Sequence, residues 1–90
     1  MSNNELDEII NKIGASYLIS YLYGKYIDKN HYNYKRRETD KTALIERCEG
    51  NYNKMVQAVL KMDENKLENN EIGLTGAAVK KMAKKILPIL

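Results

Sequence analysis

Ninety residues allow one domain, residues 1–90, because a chain this short buries only about 60 to 65% of its unfolded surface and cannot support two cores. An apolar fraction of 43%, with both charge signs spread along the chain, argues for a folded globule over a disordered tail. Fifteen basic against 12 acidic side chains leave a net charge of +3, far short of a chain built mainly to neutralise phosphates.

Leu6, Ile9, Ile10, Ile13, Tyr17 and Tyr21 recur at three- and four-residue spacing, which predicts one helical stripe that starts near Asn3 or Asn4. Glu5, Asp7 and Glu8 put negative charge where the helix dipole is positive. From Ala15 onward Leu18, Ile19, Leu22 and Tyr26 make the opposite face apolar too. This half is therefore expected to be the central helix, with Tyr17 and Leu18 both buried. Residues 28–38 show no apolar period and are rich in turn formers, so they read as the main polar loop. A second helix is expected from Thr39 or Asp40, either being a good N-cap, through Ala43, Leu44, Ile45 and Cys48 to a stop at Gly50. Asn51 or Asn53 then caps a third, which carries Tyr52, Met55, Val56, Val59, Leu60 and Met62 on one stripe. Residues 63–74 read as an acidic connector, containing at most a helical turn and held to the core by Leu67 and Ile72. Thr75 caps the last helix, whose Ala78, Val79, Met82, Ala83, Ile86 and Leu87 face one way and Lys80, Lys81, Lys84 and Lys85 the other, and Pro88 ends it. No two-residue alternation of useful length appears. The expected fold class is all-α, a small four-helix array.

Catalysis in so small a chain needs a convergent nucleophile, acid–base pair or metal set, and the sequence supplies one His and one Cys. His31, between Asn30 and Tyr32, reads as an exposed loop imidazole with no second His to complete a metal site. Cys48 reads as a small core residue, its thiol pKa raised by the neighbouring Glu46 and Glu49. The carboxylates are scattered among lysines, and no glycine-rich phosphate loop is present. No enzymatic activity, cofactor or metal is expected. A lone cysteine and a start without a signal-peptide pattern predict a cytoplasmic setting. The longest uncharged run, Ile13 to Gly24, has 12 residues, whereas spanning a bilayer takes roughly 20. Lys, Asn, Ile and Tyr account for 38 of the 90 residues. All four have A/T-rich codons, which suggests a low-GC bacterium, archaeon, phage or mobile element as the source.

Three features point toward binding. Tyr32, Tyr34, Lys35, Arg36 and Arg37 combine contact area with positive charge, suited to a protein interface and, as the alternative, to stacking on bases and meeting phosphates. Lys80, Lys81, Lys84 and Lys85 form a basic helical face that could lie along a nucleic acid or an anionic membrane surface. Ser16, Ser20 and Gly24, spaced by four, make a groove of small side chains for close helix packing, either within the chain or at a homodimer seam.

Ala43-Leu44, Cys48-Glu49-Gly50-Asn51 and the stretch from Ala58 to Leu67 together resemble the helix-turn-helix of the factor-for-inversion-stimulation type. Met55-Val56 stands where that family has a small pair. The resemblance implies a recognition helix over residues 63–71, whose Asp63, Glu64, Glu68 and Glu71 would meet phosphates with the wrong sign. The sequence is accordingly expected to encode a small helical protein that binds another protein and regulates or inhibits it, with nucleic-acid binding as the alternative.

Overall fold

A glycine divides what the periodicity reads as one long helix. In the computed structural model, which describes residues 3–31, 39–69 and 72–90, α1 (Asn3–Ile13) and α2 (Ala15–Tyr26) are separate helices on either side of Gly14. Gly14 takes φ +95° and ψ 124°, a conformation in which a Cβ is strained. Its N–H still donates to the Ile10 carbonyl at 2.8 Å, and its own carbonyl accepts from Leu18 N–H at 3.0 Å. One residue thus closes the last turn of α1 and opens the first turn of α2, and the two helices are in contact. Leu6, Ile10 and Ile13 enter the same core as Leu18, Ile19 and Leu22.

The second helix is buried along its whole first two turns, from Ala15 to Leu22 without interruption, and again at Gly24. A helix apolar on all sides belongs in the middle of a domain, as the sequence predicts for this segment. Its principal partner is α6 (Gly76–Ile86), which also packs on α4 (Tyr52–Leu60) and α5 (Glu64–Leu67). Among the described residues the fold is all-α, an array of helices in which the only β feature is one isolated bridge, Asn69 to Leu74.

The predicted stops and starts hold in most places. α3 (Thr39–Arg47) ends into a turn at Gly50, whose φ is +96°. Asp63 accepts from Asn65 N–H at 2.8 Å to cap α5, and Thr75 accepts from Ala78 N–H at 3.1 Å to cap α6. Asn51 occupies the N-cap position of α4 but makes no side-chain cap bond, since its backbone (φ −114°, ψ 3°) lies outside the extended region from which a cap side chain reaches the first amides. The helix implied by the resemblance over residues 63–71 is not formed. Among the described residues of that stretch only Glu64–Leu67 is helical, and Glu68 is already extended. Leu67 is buried, as a residue anchoring the connector should be, and Ile72 is half-buried. A 3-10 turn, Leu87–Ile89, follows α6 where Pro88 removes a helix donor.

The approach of α5 to α6 requires a glycine. A Cβ on Gly76 would stand 1.9 Å from the Glu64 carbonyl oxygen, a backbone atom that cannot swing aside. Replacing glycine by alanine in a helix ordinarily stabilises by about 1 kcal/mol, so the sign of the effect is diagnostic. We expect Gly76→Ala to destabilise by about 1 to 3 kcal/mol in urea melts, and a stabilised variant would refute this packing. Leu18, with no exposed surface, tests the central helix. Leu18→Asp should cost on the order of 3 kcal/mol or more and unfold the domain, and an unchanged melting temperature would show that α2 is not central.

Candidate interaction surface

Tyrosines on α2 and α4 carry the polar contacts around the central helix. The Tyr21 hydroxyl donates to Glu46 Oε1 at 3.1 Å, and Lys41 Nζ lies 4.9 Å from the Tyr17 ring centroid, so α3 docks on α2 through the outer ends of aromatic side chains. Tyr52, at the start of α4, is buried and its hydroxyl donates to the Ile45 carbonyl at 3.1 Å, tying α4 to α3. Burial is the main cause that pushes the Tyr52 phenol far above the ordinary tyrosine value, with Tyr21, Tyr26 and Glu49 adding in the same direction.

At the C-terminal end of α2 these contacts reach the surface. Tyr26 and Tyr52 meet edge to face, centroids 6.5 Å apart at 71°, and Lys25 Nζ lies 5.5 Å from the first ring and 5.7 Å from the second. Tyr26 and Ile27 are each 37% exposed. The apolar face expected for α2 runs through Leu18, Ile19, Leu22 and Tyr26. The first three are buried and Tyr26 is not, because it lies in the last turn, beyond the continuously buried stretch. Ile27 and Asp28 N–H both donate to the Tyr23 carbonyl, and Asp28 accepts from the N–H of Asn30 and of His31, which turns the chain away from the helix.

His31 is half-buried, not the exposed imidazole read from its polar neighbours. Its ring meets Tyr23 edge to face at 4.8 Å, and its Nε2 is 3.3 Å from the hydroxyl of Ser20, a side chain with no exposed surface. A buried hydroxyl needs a partner, and His31 supplies one from the segment that follows α2. Cys48 is a core residue as expected, but the cause of its raised pKa differs. Burial raises it, while the adjacent Arg47 pulls in the opposite direction.

The remaining site residues divide by position. Tyr32, Tyr34, Lys35, Arg36 and Arg37 lie outside the described residues, in the segment that begins immediately after His31. Lys81, Lys84 and Lys85 are exposed and Lys80 half-buried, on the side of α6 opposite Val79, Met82, Ala83 and Ile86. Ser16, Ser20 and Gly24 are all buried by the chain's own packing. Among the described residues, no three His, Cys, Asp or Glu side chains converge on a possible metal position, and no helix is long and apolar enough to cross a membrane. Compared with protein families, with curated proteins and with solved structures, the chain has no significant match.

The Tyr52 environment predicts a pH dependence. Because its folded pKa is raised, the neutral phenol contributes its stabilisation in full below the unfolded value near pH 10, and that contribution is lost as pH climbs above it. Urea melts at about pH 8 and about pH 11 should show a fall in stability. Tyr52→Phe should cost about 1 kcal/mol at the lower pH, through loss of the bond to Ile45, and should reduce the fall. An undiminished fall in the variant would remove Tyr52 as its source.

Proposed function

We propose that this chain is a small binding protein that contacts another protein through the C-terminal end of α2 and the basic, tyrosine-containing segment after it, and regulates or inhibits that partner by occupying its surface. The observation that carries the reading is the exposure of Tyr26 and Ile27 side by side at that end, with Lys25 held against the Tyr26 and Tyr52 rings. Protein interfaces favour this composition, since a tyrosine already fixed by its neighbours offers contact area at little further entropic cost. Tyr32, Tyr34, Lys35, Arg36 and Arg37 continue the same chemistry along the chain. The A/T-rich codon bias fits a protein that a phage or mobile element directs at host machinery.

Nucleic-acid binding is the second reading, and it rests on α6. Lys81, Lys84 and Lys85 project from its outer face, and residues 72–90 contain no acid. A site made of these lysines would release counterions on binding, and its affinity would fall steeply with salt.

The two readings separate in one capture experiment from nuclease-treated host lysate. We expect a discrete protein to be retained by the wild type, lost with Tyr26→Ser/Ile27→Ser, and retained with Lys81→Ala/Lys84→Ala/Lys85→Ala. Binding of the purified protein to DNA or RNA that is tight, weakens steeply with salt and is abolished by the triple lysine change would overturn the proposal.

A further inference from the structure

Helices α1 and α4 pack side by side and leave a groove of about 610 Å³ that shares no residue with the end of α2. Its floor is apolar. Leu6 and Ile10 of α1 are buried there, and Ala58 and Met62 from the α4 side are half-buried. Its two rims differ in charge. Lys54 and Gln57 of α4 and Lys61 at its C-cap stand exposed, with Asp7 and Asn11 exposed along α1. Lys54 and Lys61 are seven residues apart, about two helical turns or 10 Å along the axis.

We propose that this groove docks an amphipathic helix of another protein, one with an apolar stripe toward the floor and acidic residues along the edge that meets Lys54 and Lys61. The groove residues on the α4 side fall at positions 54, 57 and 58 within the helix and at 61, its C-cap, the three- and four-residue spacing by which one helix receives another. Two lysines on one rim call for carboxylates spaced seven residues apart on the facing edge, the repeat of every second helical turn. Asp7 on the other rim favours a cationic or neutral residue on the opposite edge, which sets the direction of the bound helix. A phosphate backbone fits poorly. The α1 rim carries the acid Asp7, and the apolar Leu6, Ile10, Ala58 and Met62 lie between the rims. The surface is independent of the one proposed at the end of α2, so the protein has two places at which a partner is held.

The test uses a fluorescein-labelled peptide of three heptads, leucine at the two core positions, glutamate along one flanking edge and glutamine along the other, titrated with the full chain. Fluorescence anisotropy should rise saturably. Lys54→Glu/Lys61→Glu should weaken binding by about tenfold or more, as loss and reversal of two rim ion pairs requires. A second peptide with lysine in place of glutamate should bind that double variant better than the wild type. Both lysines are exposed, and a circular dichroism melt of the double variant confirms that it folds. Tyr26→Ser/Ile27→Ser should leave peptide binding unchanged, which keeps this test separate from the capture experiment. No saturable binding, equal affinity for the double variant, or a loss caused instead by Lys81→Glu/Lys84→Glu would overturn the proposal.

Discussion

Burial of α2 on every side is the constraint on which the rest depends. A chain of 90 residues has apolar material for one core, and here a single helix runs through it. The break at Gly14 makes this possible, since a continuous helix would carry α1 away from the core that Leu6, Ile10 and Ile13 help to form. The close approach at Gly76 does the same at the other end of the chain, seating α6 against α5 while α6 covers α2. Two glycines in different conformations thus set the topology, one by turning the chain and the other by leaving room for a carbonyl.

A helix surrounded by protein must also satisfy its polar groups. Ser16 and Ser20 are buried within α2, and Ser20 meets the ring of His31 from the segment just after the helix. The tyrosines handle the periphery. Tyr17 and Tyr21 bury their rings in the core and take Lys41 and Glu46 of α3 as polar partners, and Tyr52 holds the Ile45 carbonyl from α4. Phenylalanine does not occur in the chain, and aromatic packing here comes with a hydroxyl attached. Tyr26, one turn past the buried stretch, has the same chemistry with a partly open ring.

The helical fold was legible in the sequence because its signals are local. Periodic stripes placed α3, α4 and α6 and identified Ala15 to Leu22 as the most enclosed segment. Thr75 and Gly50 marked a start and a stop through their own backbone chemistry. The break at Gly14 escaped because the apolar spacing continues across it, so periodicity alone cannot distinguish one helix from two; the glycine itself was the available signal. His31 escaped for another reason. Polar sequence neighbours suggest exposure, whereas its burial comes from Ser20 and Tyr23, 11 and 8 positions away. The groove between α1 and α4 required knowing that residues around 7 and 57 stand side by side, a long-range fact that no local pattern carries.

Surface charge follows the same architecture. Lys84 and Lys85 stand in the last turn of α6, where positive charge suits the helix dipole, so that part of the lysine face has a structural purpose without any ligand. Tyr26 and Ile27 are each 37% exposed at the end of α2, and the proposed partner contact lies there. The most direct test is site-specific photocrosslinking in host cells, with benzoylphenylalanine installed at position 26 in one strain and at position 81 in another. The account predicts a discrete protein adduct from position 26 and none from position 81. An adduct only from position 81, or adducts to nucleic acid, would contradict it.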